Sequence, residues 1–341
     1  MKKRKDKRYQ KRVPDKYVEN GAPRVIYGNT PDELDEKFDK IKKRYNRETI
    51  LFNDVADEWQ DSHFENIRYN TTVKYTGPLK QIKIYFENDY IFDITPKRIQ
   101  EFINSLADKN YARDTVKVRL GIIRQIFNYA IVRGYIDNNA TQAIKIPKGL
   151  SVTKKENVSS DVIETIHNSL DKSLGLLAYI LLYTGCRLCE AAALQWSDVD
   201  FDNNIININK IIEWRSNQPY LRENTKTTAG NRQIILSDNL REVLFNIKDK
   251  NGYIINIKNK PISKTQFRKN WAKLNLGITA HQLRHEYATM LYNAGVDVKA
   301  AQALLGHSSI TVTMNIYTHL QNKKKEESAL KINEYLQKNR L

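Results

Sequence analysis

Apolar positions along the chain fall into three regimes. Between residues 52 and 59, Phe52, Val55, Ala56 and Trp59 recur at helical spacing. The longer run YARDTVKVRLGIIRQIFNYAIVRGYI carries a stripe of Leu120, Ile123, Phe127, Ala130 and Ile131 and stops at Gly134. Between the two, ITPKRIQEFINSL opens on Thr95 and Pro96, a capping residue followed by the one residue that suits the first helical position. A helical segment is therefore predicted over 49–150. Ahead of it, PRVIYG reads as a short strand and NTPDELDEKFDKIKKRY as a helix. Thr30 can cap that helix, Pro31 starts it, and acids precede bases as the helix dipole prefers.

Residues 146–160, IPKGLSVTKKENVSS, have no periodicity and read as a linker. A third segment, 151–341, opens on SDVIETIHNSL, where Asp161 and Glu164 suggest a capping box. LGLLAYILLY reads as a buried helix and TGCRLCEAAALQW as helix. NNIININKIIEW, QPYLRENTKT and GNRQIILS read as three strands, and helices resume at KTQFRKNWAKL. The expected fold is mainly α with small β-sheets, in segments 1–48, 49–150 and 151–341.

Charge changes the picture. Against 39 Asp and Glu stand 56 Lys and Arg, a net +17 over 341 residues. Such an excess favours a polyanionic partner, nucleic acid before membrane. Residues 1–12 alone hold eight basic side chains and a single acid, Asp6, which suggests a small basic DNA-binding module over 1–48. On the long helix, Arg113, Lys117 and Arg124 fall within about 40° of one another, a stripe suited to phosphate contact. The longest apolar stretch, Leu174 to Tyr183, is about half the ~20 residues a membrane span needs. No apolar run follows the basic start as a signal peptide requires, so a cytoplasmic protein is expected.

Cys186 and Cys189 form a C-x-x-C. A structural zinc needs four ligands, and no second Cys or Cys/His pair stands at matching spacing. Both thiols read as small, partly buried fillers, and no metal is expected.

The polar groups able to do chemistry lie between 184 and 317: Arg187 and Glu190 in TGCRLCE, Lys226 in TKT, His281 and Arg284 in HQLRH, His307 in LGHS, and Tyr317 in YTH. Two arginines suit a phosphodiester in transfer, because a guanidinium fork meets two oxygens and stays charged. No acidic constellation resembles a two-metal nuclease site. Taken singly, each residue has an ordinary reading. Arg187 can pair with Glu190 three residues on. Lys226 can be a solvated strand-end lysine, His307 a turn residue, and Tyr317 a packed aromatic.

Taken together, T-G-x-R-x-x-E, T-K-T, H-x-L-R-H, L-G-H-S and Y-x-H stand in an order and spacing that resembles the tyrosine recombinases, the phage-integrase family, over roughly residues 160–320. That resemblance implies a helical, SAM-like core-binding domain ahead of an α+β catalytic domain. It implies Tyr317 as nucleophile, with Arg187, Lys226, His281, Arg284 and His307 as catalytic partners and Glu190 in support. Cleavage would pass through a 3′-phosphotyrosyl bond without metal, ATP or other cofactor. Double-stranded DNA with core sites and a homotetramer on paired sites follow from the same likeness, as does room for an excisionase or DNA-bending accessory protein. The N-terminal module resembles the arm-binding domains of integrases from phages and conjugative transposons, although only about two strands are discernible. The tail LQNKKKEESALKINEYLQKNRL could supply a helix exchanged between protomers. Two rival readings remain at this point: a topoisomerase using the same tyrosine chemistry, separable by a single-site relaxation assay, and a non-enzymatic architectural factor, separable by trapping a covalent DNA adduct.

Overall fold

The computed structural model describes residues 8–18, 22–152, 158–223 and 231–338. Lys226 lies outside them. The chain divides into two compact units, Met1–Lys154 and Lys155–Leu341.

In the first unit, β1 (Tyr9–Arg12) and β2 (Val25–Gly28) pair antiparallel across the one-turn helix α1 (Asp15–Val18). Helix α2 (Pro31–Glu48) starts as the sequence predicts, with the Thr30 hydroxyl accepting from the Glu33 N–H at 3.1 Å. Val13, Tyr17, Ile26 and Leu34 close a small core of their own. From the basic tip, Lys11 donates to Asp35 at 2.7 Å and lies over the Phe38 ring. Four more helices follow: α3 (Phe52–Glu65), α4 (Tyr69–Tyr85), α5 (Pro96–Asp108) and α6 (Arg113–Val132). Phe52, Phe86, Phe102 and Phe127 meet at their centre, all essentially inaccessible to solvent. Thr95 caps α5 by accepting from the Arg98 N–H at 3.2 Å. Ile146 and Leu150, at the start of the stretch read as linker, pack against this core, and the Ser151 carbonyl accepts from the Arg113 N–H at 3.0 Å.

The second unit begins with α7 (Ser160–His167), α8 (Gly175–Thr184) and the one-turn α9 (Leu188–Ala191). Five strands follow: β3 (Val199–Asp200), β4 (Ile205–Ile208), β5 (Lys210–Arg215), β6 (Gln218–Glu223) and β7 (Arg232–Ile235). β3, β4 and β7 form one antiparallel sheet, while β5 and β6 form a separate hairpin. Then come α10 (Asp238–Phe245), the short pair β8 (Asn256–Ile257) and β9 (Lys260–Pro261), and the helices α11 (Lys264–Lys273), α12 (Ala280–Asn293), α13 (Val298–Leu305) and α14 (Ile310–Lys338). α8 is apolar on every side and sits in the middle of this unit's core, as its composition requires. No helix among the described residues is long and apolar enough to cross a membrane.

Three local expectations need correction. α7 begins with Ser159 at its cap and no side-chain cap bond, so Asp161 and Glu164 do not form a capping box; Asp161 instead lies in the first turn, where its charge suits the dipole. NNIININKIIEW is two strands, because the chain leaves one sheet at Asn209 and enters the hairpin. TGCRLCEAAALQW is not a continuous helix. α8 stops at Thr184, Gly185 turns left-handed (φ +59°), and Arg187 is extended (φ −69°, ψ 148°) before α9 starts. This last break builds the site.

Candidate active site

The break between α8 and α9 turns two backbone groups toward polar partners. The Gly185 carbonyl accepts from Arg284 Nη1 at 2.8 Å. The Arg187 N–H donates to Glu190 Oε2 at 2.8 Å, while its Nη1 donates to Glu190 Oε1 at 2.7 Å. Gly185 is required twice here. Its φ is one that a Cβ resists, and a Cβ would lie 2.3 Å from Cδ1 of the Tyr287 ring.

Helix α13 supplies the other wall. Asp297 caps its start, accepting from the Lys299 and Ala300 N–H groups, and left-handed Gly306 (φ +66°) ends it. The last carbonyls of a helix have no partner within it and carry partial negative charge. Here three consecutive ones are each met by an arginine. Arg232 Nε donates to the Leu304 carbonyl at 2.8 Å, Arg284 Nη2 to Leu305 at 2.6 Å, and Arg187 Nη2 to Gly306 at 2.9 Å. Arg232, from β7, also donates through Nη2 to Glu190 Oε2 at 2.8 Å. Three guanidiniums therefore share one helix end, and two of them, Arg187 and Arg232, hold one buried carboxylate.

Electrostatics follow from that crowding. Burial, then the Arg187 charge, pushes Arg284 down to about 10. Burial pushes the Glu190 carboxyl up, but the Arg232 hydrogen bond and charge, with Arg187 behind them, outweigh it and hold it below the usual carboxylate range. His307 follows Gly306 and donates to or accepts from Thr313 Oγ1 through Nδ1 at 2.9 Å. Burial and the Arg284 and Arg187 charges push it down to about 4, so its imidazole is neutral at pH 7. His281 stands exposed in the first turn of α12, its ring edge-on to His285 at 4.6 Å. A cleft of about 450 Å³ lined by Arg187, Leu188, Phe267, Trp271 and His281 opens beside it.

Tyr317 is placed differently. Its hydroxyl donates to the Val296 carbonyl at 3.1 Å, and its ring meets Tyr292 edge-on at 5.1 Å. Burial, and then the Asp297 charge, raises its pKa. Val296 precedes α13, whereas the arginines hold its far end, roughly 12 Å away at 1.5 Å per helical residue. The structure thus gathers Arg187, Glu190, Arg284 and His307, with His281 on the adjoining cleft, and docks the Tyr317 hydroxyl at the opposite end of α13. Arg113, Lys117 and Arg124 are all exposed on α6, Lys117 with Asp114 at 3.3 Å. Cys186 is buried, its thiol pushed up to about 11 by burial, and Cys189 is half-buried and raised for the same reason. Among the described residues no group of three or more His, Cys, Asp or Glu could hold a metal ion.

Sequence reasoning missed Arg232 and Thr313. Arg232 reads as a polar residue at the start of a short strand, and nothing local says that it faces a helix end. Thr313 lies in a run of small hydroxylated residues with no mark to single it out.

Residues 154–324 match the phage integrase family, and residues 51–107 match the N-terminal SAM-like domain of phage integrases. The chain belongs to the phage integrase family. It is a tyrosine recombinase, an enzyme that cleaves and rejoins DNA. This recombinase is 27% identical to a XerC-like tyrosine recombinase of Caldanaerobacter subterraneus subsp. tengcongensis, across 93% of each chain. It is 25% identical to the integrase of Staphylococcus phage L54a, across 86% of this chain and 97% of that one. Its fold is similar to the Tn1549 transposon integrase solved with transposon right end DNA (TM-score 0.68, 21% identity, 82% of this chain, 99% of that one). It is also similar to a lambda integrase tetramer bound to a Holliday junction (TM-score 0.60, 20% identity, 90% of this chain, 95% of that one).

Gly185→Ala tests whether the left-handed turn aims Arg284. A core duplex can be selected by the intact protein from a random-sequence pool through covalent capture. On that duplex the variant is expected to bind normally and form adduct roughly 100-fold more slowly, the cost of misplacing a reacting group by about 1 Å. An unchanged single-turnover rate would show that the Gly185 carbonyl does not set the arginine.

Proposed function

We propose that this recombinase is the integrase of a mobile element and cuts DNA with Tyr317. The observation that carries the reading is the arginine cluster: Arg187 and Arg284 are fixed at one helix end, with a neutral His307 beside them, in the arrangement that a phosphodiester under attack needs. In attack, Tyr317 passes its hydroxyl proton to solvent water and its oxygen bonds to phosphorus. Negative charge gathers on the non-bridging oxygens, where Arg187 and Arg284 oppose it without moving. His281 and His307 add donors. If Thr313 donates to Nδ1 of His307, the imidazole keeps its proton on Nε2 and meets the phosphate as a neutral donor. The 5′-oxygen leaves with a proton from Lys226, giving a 3′-phosphotyrosyl bond and a free 5′-hydroxyl. Attack by a partner strand's 5′-hydroxyl reverses the step and stores the bond energy throughout. Before any of this, Tyr317 must leave Val296 and travel toward the arginines.

The mobile-element role draws support from the phage L54a and Tn1549 integrases. Core DNA would contact Arg113, Lys117 and Arg124 on α6, and residues 1–48 would take a distal, arm-type site. Assembly of four protomers on paired sites is supported by the lambda integrase tetramer. An excisionase or bending protein would bias direction.

Tyr317→Phe removes one hydroxyl and keeps the ring against Tyr292. Near-normal affinity for the selected duplex is expected, with no covalent band on a denaturing gel. Adduct from this variant would sink the assignment of the nucleophile. On the same gel, a chain lacking residues 1–48 should still form adduct at the core duplex while losing every other class of binding site; full retention of binding would remove the arm-type reading.

Lys226 concerns a single proton. Lys226→Ala should cleave ordinary DNA slowly. It should recover almost the unmodified protein's rate when the bridging 5′-oxygen is replaced by sulfur, because a thiol leaving group ionises near pKa ~8.5 and needs no proton. Arg284→Ala should not recover, since its charge serves the non-bridging oxygens. Equal rescue of both, or of neither, returns Lys226 to the solvated surface.

A further inference from the structure

Arg232 costs the fold something that stability alone does not explain. Its side chain is 6% exposed, it lies among two other guanidiniums, and its Nη1 is buried with no hydrogen-bond partner among the described residues. A buried ion pair is often no more stabilising than apolar residues of the same volume, and an unmet buried N–H is a further penalty. What Arg232 gains is a two-point grip. Nε holds the Leu304 carbonyl at 2.8 Å, and Nη2 holds Glu190 Oε2 at 2.8 Å. Glu190 in turn holds both the backbone and the side chain of Arg187, and the neighbouring carbonyls of α13 hold Arg284 and Arg187.

We infer that Arg232 is a positioning residue for DNA cleavage: it ties β7 to Glu190 and to the end of α13, so that Arg187 and Arg284 keep one fixed spacing. The inference rests on the reading of Arg187 and Arg284 as the phosphate clamp. Arg232 is not itself a catalytic residue, because its buried fork points at protein atoms. Without it, Glu190 Oε2 keeps only the Arg187 N–H, the Leu304 carbonyl loses its donor, and the end of α13 is free to shift by the fraction of an ångström that a preorganised site cannot spare. Glu190 also loses the cation that most strongly opposes its burial. The other groups facing it are Arg187 and Cys189 on its own turn, Cys186 just ahead, and Arg284 from α12. The thiols stay protonated, and Arg187 and Arg284 remain to hold the carboxyl down against burial. Its pKa therefore rises, and it takes up a proton at a milder pH than in the unmodified protein, releasing Arg187 when it does. His307, at about 4, is neutral across that range.

The test uses the full chain and the selected duplex, with Arg232→Met and Arg232→Lys measured for thermal midpoint, DNA affinity and single-turnover adduct formation from pH 5 to 8. Arg232→Met is expected to bind DNA normally and form adduct about 100-fold more slowly at pH 7.5. Its rate should also fall more steeply toward pH 5 than that of the unmodified protein. Arg232→Lys restores the charge but not the planar fork. It should lose the extra acid sensitivity and stay roughly 10-fold slow. If Arg232→Met does not fold, Arg232→Lys decides: a normal rate overturns the inference. A pH profile parallel to the unmodified protein's, at any rate, also overturns it, since a merely structural residue would leave that profile alone. Arg187→Ala and Arg284→Ala run alongside. Normal cleavage by those two sinks the clamp reading, whereas their inactivity with normal cleavage by Arg232→Met sinks only the inference about Arg232.

Discussion

The catalytic unit depends on three backbone carbonyls. Leu304, Leu305 and Gly306 end α13 with acceptors that no helical N–H can reach, and Arg232, Arg284 and Arg187 each donate to one of them. A helix end favours cations within its last turn by up to ~2 kcal/mol where the geometry is partly buried. That attraction offsets part of the repulsion among three guanidiniums, and Glu190, itself about 1% exposed, offsets more. The remaining positive charge is unbalanced in the protein alone. On the proposed reading, a DNA phosphate completes it.

In the proposed mechanism the same helix also organises Tyr317, the nucleophile. Its N-terminal approach, Val296, accepts from Tyr317, so one eight-residue element holds arginines at one end and the tyrosine at the other. In the proposed mechanism, cleavage requires releasing a hydroxyl whose pKa burial has raised and carrying it along α13. The arginines need not move in that step. In this structure the Tyr317 hydroxyl stays hydrogen-bonded to the Val296 carbonyl, with its pKa raised by burial.

Much of this was legible in the residues. Helical spacing located α3, α5 and α6, and proline after threonine marked two helix starts correctly, because both signals are local. The order of the five motifs named the chemistry. What could not be read was tertiary. TGCRLCEAAALQW has the composition of a helix, and its break appears only because Gly185 must let the Tyr287 ring approach and must aim a carbonyl at Arg284. Arg232 opens a strand whose sequence gives no hint that this polar position faces a helix end rather than water. Tyr317 was recognisable as a candidate nucleophile, yet its partner, a carbonyl two residues before α13, carries no sequence mark at all.

The central claim is that α13 holds the arginines in place before DNA arrives. Nitrogen-15 relaxation of the Nε–H groups of Arg187, Arg232 and Arg284 in the DNA-free protein measures this directly. The account predicts order parameters near ~0.85, as rigid as well-ordered backbone, with little change when DNA is added. Values below ~0.6 in the free protein, rising only on DNA binding, would contradict it and make the clamp a product of the substrate.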